Sequence, residues 1–206
     1  MASKKTSTRY LLFRSLVVLL GRAALGYTCV GGERTPESGP LVVAANHTRY
    51  LDPVFVCMAV PRRIQWMAKK EVFVFPFDRF FRFVGAFPVD RQRGGRAALR
   101  AALRYLGEGW ALGIFPEGTH RTEGVSREAK SGAIMLAARS GAKILPVYVG
   151  HIPGPLARLR GERFRAYVGE PINIPKDLRG REEYRRYADE LLREIYALPE
   201  KYGDTS

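Results

Sequence analysis

The sequence predicts an α/β domain whose mainly parallel central sheet is covered by helices. Three observations lead there. Short continuous apolar runs containing β-branched residues, such as "LVVAA" at 41–45 and "KILPVYV" at 143–149, suit strands buried on both faces. Segments with apolar residues at helical spacing alternate with those runs, and parallel neighbours require such crossovers. The 206 residues, 46% of them hydrophobic, can fill one sizeable core.

The first element in chain order is a helix. "MASKKTSTRYLLFRSLVVLLGRAALGYTC" joins a basic start to an apolar middle, as a signal peptide does. Arg14 and Arg22 divide the apolar run into pieces of about seven residues, short of the roughly 18 needed to span a bilayer. Tyr27 and Thr28 also stand where a lipoprotein cleavage site needs small residues. The expectation is an N-terminal interfacial membrane helix, or a short helical pair. Leu11, Leu12, Phe13, Leu16, Val17, Leu19 and Leu20 would lie among acyl chains, with Arg9, Arg14 and Arg22 near phosphates. The same periodicity also fits a core helix. The turn-rich "GGERTPESGP" at 31–40 connects this segment to the rest, so residues 1–39 form a membrane-associating segment with its connector and 40–206 the main domain.

"LVVAA" opens the main domain as a strand. Asp52 and Pro53 then stand as N-cap and first helical residue of a helix through "VFVCMAV" that must stop by Pro61. "RIQWMA" (63–68) reads as a strand, "KEVFVFPFDRFFRFV" (70–84) as an aromatic helical segment broken at Pro76, and "GAFPV" (85–89) as a strand. A helix from about Gly95 to Gly107 carries Leu99, Leu103 and Leu106 on one face and Arg96, Arg100 and Arg104 as a separate basic stripe. "WALGIF" (110–115) is a strand. "SREAKSGAIMLAARSG" (126–141) is a helix with Ser126 as cap and Gly141 at its end, and "KILPVYV" follows as a strand. "RFRAYVGEPINI" (163–174) adds one or two strands, and Tyr184, Ala188, Leu191, Ile195 and Leu198 mark one face of a final helix.

The charge balance narrows the partners. With 34 Lys and Arg against 20 Asp and Glu, the net charge of +14 calls for something anionic: nucleic acid, acidic bilayer headgroups or a phosphorylated substrate. Cys29 and Cys57 are too few for a disulfide scaffold or a cysteine zinc site, which fits a reducing cytoplasm. His47, His120 and His151 lack the close helical spacing of a metal-binding pair, so no metal is expected.

Ligands of open α/β sheets collect at the carboxyl ends of strands. His47, Asp52, Asp90, Arg91, Glu117, Thr119 and Arg121 all follow apolar strand candidates. Along a helix, five residues would turn Asp52 about 140° away from His47, so the pair can meet only across a turn. There the carboxylate would fix the tautomer of the imidazole and stabilise its protonated form, making His47 a general base. No serine or cysteine stands in a motif-like position beside it, which makes the substrate's own hydroxyl the nucleophile. In "FPEGTHR" (115–121), Gly118 permits a tight turn that can present amides to an oxyanion or phosphate, and Arg91 in "GAFPVDR" (85–91) is a candidate phosphate clamp. Taken singly, each of these is also an ordinary polar loop, and Asp-Pro an ordinary helix cap.

Together the blocks resemble the 1-acyl-sn-glycerol-3-phosphate (lysophosphatidic acid) acyltransferases of the glycerolipid acyltransferase superfamily. "NHTRYLD", with its NHx4D core, is similar to the first block, "GAFPVDR" to the second, "FPEGTHR" to the third and "ILPVYV" to the fourth; "MAKKE" with Lys69 and Lys70 resembles the family's basic segment. The likeness runs from about Pro40 to Pro175. His120 interrupts the commoner third-block pattern, so Arg121 stands one place late.

The resemblance implies acyl transfer from acyl-CoA or acyl carrier protein to the sn-2 hydroxyl of lysophosphatidate, giving phosphatidate, with no cofactor beyond the donor. It implies His47 as base and Asp52 as its orienting group. Arg91 and Arg121, with Lys69 nearby, would take the acceptor phosphate, and Glu117, Gly118 and Thr119 would form the acceptor-binding turn. It further implies anionic membrane lipids as partners and a peripheral or monotopic seat on the cytoplasmic face of the cell membrane. A sibling acyltransferase using another lysophospholipid, glycerol 3-phosphate or an acylated amino acid shares the same blocks. A nucleic-acid-binding protein would explain the charge but leave His47, Glu117 and the apolar N-terminus without a purpose.

Overall fold

A computed structural model describes residues 6–89, 95–118 and 129–203, the side chains of Lys69 and Val72 excepted. Numbered in chain order, its strands are β1 (Thr28–Val30), β2 (Leu41–Ala45), β3 (Ile64–Lys69), β4 (Ala86–Val89), β5 (Ala111–Ile114), β6 (Lys143–Val149) and β7 (Arg165–Val168). Among the described residues they form one seven-stranded sheet in the order β1-β7-β6-β2-β5-β3-β4. Neighbours are parallel except β6 and β7, which run antiparallel, so the mainly parallel sheet expected from the sequence is present.

The central strand β2 shows why. Leu41, Val43 and Ala45 enter one hydrophobic cluster while Val42 and Ala44 enter another, so every residue of β2 is buried and alternation sends its side chains to two cores. α1 (Thr8–Leu25), α2 (Asp52–Ala59) and α3 (Asp78–Phe83) pack on the first face, through residues that include Val17, Phe55 and Phe81. α4 (Gly95–Gly107), α5 (Gly132–Ser140) and α7 (Gly180–Tyr202) cover the second, through Leu106, Ile134 and Ile195 among others. A short helix, α6 (Pro155–Leu159), lies between β6 and β7 in the chain.

Four details depart from the sequence reading. The stretch before 40 is more than a connector to the sheet, because Thr28–Val30 pairs in parallel with Arg165–Tyr167. Arg14 does not point outward to phosphates: its Nε and Nη2 donate to the Cys57 and Met58 carbonyls at 2.9 and 2.5 Å, capping the end of α2. Asp52 lies inside α2, with Leu51 at the N-cap position and the carboxylate turned back toward the preceding loop. The aromatic segment at 70–84 forms a single 3₁₀ turn at Lys70–Val72 followed by the six-residue α3. Ser126, expected to cap a helix, is outside the described residues; α5 begins at Gly132.

The connector is pinned rather than loose. The buried Arg62 donates to the carbonyls of Pro36, Gly39 and Gly109 at 2.9, 2.8 and 3.0 Å. Among the described residues no helix is long and apolar enough to cross a membrane.

Candidate active site

The loop after β2 gathers its polar groups around one carboxylate. Asp52 Oδ2 accepts from the backbone amides of Thr48 and Arg49 at 2.6 and 2.7 Å and lies 3.2 Å from His47 Nδ1. The Asp52 side chain has no exposure at all and that of His47 only 12%. Burial pushes the Asp52 pKa up, but the His47 contact and the two amides outweigh it and hold the carboxyl below its usual value. An ionised, buried Asp52 accepts from Nδ1–H, which assigns the proton to Nδ1 and makes Nε2 the basic nitrogen. The pair that the sequence placed across a turn is therefore formed.

Two side chains of this loop tie it to the end of β6. The buried Asn46 donates from Nδ2 to the Val149 carbonyl at 3.0 Å and accepts from the Val149 amide at 2.7 Å, so its amide side chain continues the β2–β6 ladder beyond Ala45. Arg49 Nη1 donates to the Gly150 carbonyl at 3.1 Å and stands 3.9 Å from Asp52 Oδ1.

Beneath the imidazole lies an aromatic stack. The His47 ring is 3.8 Å from that of Phe115 at an interplanar angle of 11°, and Phe115 is in turn stacked on Trp66 at 5.1 Å and 20°. Trp66 fits because Gly113, its register partner on β5, has no side chain: a Cβ there would lie 2.5 Å from the indole. The indole Nε1 reaches Cys57 Sγ at 3.3 Å, and burial pushes the Cys57 thiol pKa up, so this cysteine is no ready nucleophile.

β5 delivers the second loop. Phe115 to Gly118 form a tight turn closed by the Gly118 amide on the Phe115 carbonyl at 3.0 Å, while the Lys130 amide donates to the Pro116 carbonyl at 2.7 Å. Gly118 has φ +83°, and a Cβ there would meet the Lys130 side chain within 2.4 Å, so only glycine suits. The turn itself uses the Gly118 amide, which removes it from the candidate oxyanion donors. Glu117 Oε1 accepts from the hydroxyl of Tyr196 on α7 at 2.7 Å.

Of the residues singled out in the sequence, the structure thus unites His47 with Asp52 and sets Glu117 and Gly118 in the turn that follows Phe115, whose ring stacks on His47. Lys69 ends β3 opposite Val89 of β4, at the same carboxyl edge. Arg91, Thr119 and Arg121 lie outside the described residues, as does the Lys69 side chain. Sequence reasoning missed Asn46, Phe115, Trp66 and Tyr196. Asn46 and Phe115 at least stand within the quoted blocks, next to His47 and Pro116.

A family model described as Acyltransferase matches residues 27–150, a span that includes both loops. A 1-acyl-sn-glycerol-3-phosphate acyltransferase of Bacillus subtilis (strain 168) is 32% identical over 144 residues, covering 68% of this chain and 71% of that protein. A protein of the same description from Streptococcus pneumoniae is 32% identical over 177 residues, covering 80% of this chain and 63% of its own. The crystal structure of the 1-acyl-sn-glycerophosphate (LPA) acyltransferase PlsC from Thermotoga maritima matches with a TM-score of 0.69 over 96% of this chain and 83% of that one. At 24% identity that likeness speaks for the fold.

Proposed function

The chain belongs to the acyltransferase family, and we propose that it moves a fatty acyl group from a thioester to the sn-2 hydroxyl of 1-acyl-sn-glycerol 3-phosphate, giving phosphatidate for phospholipid synthesis. The observation that carries the mechanism is the buried His47–Asp52 contact at 3.2 Å, at a sheet edge where substrates of α/β folds collect.

In this reading His47 Nε2 takes the acceptor's hydroxyl proton as that oxygen attacks the thioester carbonyl. The tetrahedral intermediate collapses, the C–S bond breaks, and the departing sulfur receives the proton from the imidazolium. No acyl-enzyme forms. Asp52 stays ionised, holds Nδ1–H and stabilises the transient charge. The Phe115 ring under the imidazole restrains its tilt. Arg91 and Arg121, with Lys69, take the acceptor phosphate, and Glu117 orders the turn through Tyr196. The donor is an acyl-CoA or an acyl carrier protein thioester.

The surface supports a peripheral seat on an anionic bilayer. Leu12, Leu16, Leu19 and Leu20 of α1 are 54–67% exposed along one side of the helix, while Tyr10, Val17, Val18 and Gly21 face inward. Phe13 meets Phe80 and Phe83 edge-on at 6.2 and 5.4 Å, which continues the apolar surface onto α3 and the exposed Val74, Phe75 and Phe77. An apolar surface of this kind, flanked by Arg9 and Arg22, suits the acyl–headgroup boundary. This retains the interfacial role expected for α1, with Val17 and Arg14 reassigned to its inner side.

The test is acyl transfer by purified protein in mixed micelles, with lysophosphatidate, glycerol 3-phosphate and lysophosphatidylcholine offered in parallel. Phosphatidate formation at the highest kcat/KM supports the acceptor named here. A clear preference for either other acceptor would replace it while leaving the base chemistry intact.

A further inference from the structure

Two exposed helices on the second face of the sheet carry arginines in opposite manners. On α7 they are interleaved with acids: Arg186 approaches Glu190 at 3.9 Å and Lys201 meets Glu194 at 2.9 Å. Such a surface largely neutralises itself. On α4 the exposed Arg96, Arg100 and Arg104 repeat every four residues, the helix contains no acid, and none of the three makes an ion pair among the described residues. The Arg104 guanidinium stands over the ring of Tyr105, at 5.3 Å. A further exposed arginine, Arg139, belongs to α5, the neighbour of α4.

The row has a definite place. The inner side of α4, with Ala102 and Leu106, packs on the second core beside Val42 and Ala44. The leucines of α1 and the phenylalanines of α3 belong to the first face. The arginines therefore look away from the apolar surface assigned to the bilayer. α4 follows β4, so its N-terminal end with Arg96 is nearest the carboxyl edge that holds His47. From there the charges descend in steps of about 6 Å along the helix. Helix-dipole polarity adds positive potential at the same end.

From this arrangement we propose that the Arg96, Arg100 and Arg104 face of α4 is the docking surface for an acidic acyl carrier protein that brings the acyl thioester to the site from the side opposite the bilayer. An acidic helix with carboxylates four residues apart matches the row charge for charge. A bilayer would have to cover the second face at the expense of the exposed leucines on the first. The proposal rests on the acyl-transfer reading above, and names the donor that reading left as one of two.

The experiment uses the full chain with Arg96→Glu, Arg100→Glu and Arg104→Glu combined, the milder triple Gln variant and a thermal melt of each. Acyl carrier protein and coenzyme A thioesters of one chain length serve as donors to lysophosphatidate. Charge reversal should raise the KM for the carrier thioester about tenfold or more, the Gln variant less, with the coenzyme A KM within about twofold of wild type. The wild-type KM for the carrier should climb with ionic strength. If the reversed variant fails to fold, the Gln variant and the salt series decide. Use of coenzyme A alone by the wild type would overturn the proposal. So would equal losses with both donors, an unchanged carrier KM, or a loss of binding to anionic vesicles in place of the donor-specific loss. Absence of transfer from either donor would sink the functional reading instead, and salt-sensitive binding of the carrier to wild type but not to the reversed variant would still decide the docking surface.

Discussion

The turns after β2 and β5 leave the sheet from paired strands at the same edge, and they are held by different means. The β2 turn is braced from within. Asp52 collects two amides and the imidazole, Asn46 extends the ladder to Val149, and Arg49 reaches Gly150. The β5 turn closes on one internal amide, a second from Lys130 and a hydroxyl from α7. A group that must hold a proton-transfer geometry to a fraction of an ångström sits in the first. The turn proposed to meet the acceptor is the second, where the side-chain anchor is Tyr196 on α7. Among the described residues, the hydrogen bonds are thus gathered more densely around the proposed base than around the proposed acceptor turn.

Each substitution below strains one side of that contrast. The largest effect is expected for Asp52→Asn, which removes the charge that fixes the His47 tautomer; kcat should fall by about 10² to 10⁴ in steady-state assays. The same variant should flatten the acid limb of unfolding. The Asp52 pKa is lowered in the folded state, so its stabilisation is present above the unfolded carboxylate value near 4 and is lost as pH falls through the lower folded value. An acid titration of stability that does not differ between wild type and Asp52→Asn would break the claim that this carboxylate is specially held.

Asn46→Ala comes next. It leaves the Val149 amide and carbonyl without partners at a buried edge, which should cost about 2 kcal/mol in a urea midpoint analysis. Gly118→Ala forces a side chain into a left-handed conformation against Lys130. We expect about 1–2 kcal/mol of destabilisation and a higher KM for lysophosphatidate. A drop in kcat larger than that of Asn46→Ala would contradict the division of labour. The smallest effect belongs to Tyr196→Phe, which keeps the ring against Tyr148 and removes only the hydroxyl on Glu117. The acceptor KM should rise by a few-fold, on the order of one hydrogen bond, with kcat nearly unchanged.

Much of this was written in the chain at short range. The alternating apolar segments specify the parallel sheet, and a histidine five residues before an aspartate can use it only by turning, which the structure does. What escaped depends on partners distant in sequence. Asn46 pairs across 103 residues and Glu117 across 79, and no local pattern announces either. The His47–Phe115–Trp66 stack exists only because the register of β5 against β3 sets Gly113 opposite Trp66. β1 is three residues long and owes its place to β7, far down the chain. The inward turn of Arg14 could not be read from helical spacing, which tells one face from another but not which neighbour supplies carbonyls.

Acyl transfer at this site turns on His47 as the base. Single-turnover transfer of an acyl group to lysophosphatidate, measured across pH for wild type and His47→Ala of matched thermal stability, tests it. A base at His47 predicts that the variant loses at least a hundredfold in rate. A folded His47→Ala protein that transfers at the wild-type rate with the same pH profile would contradict it.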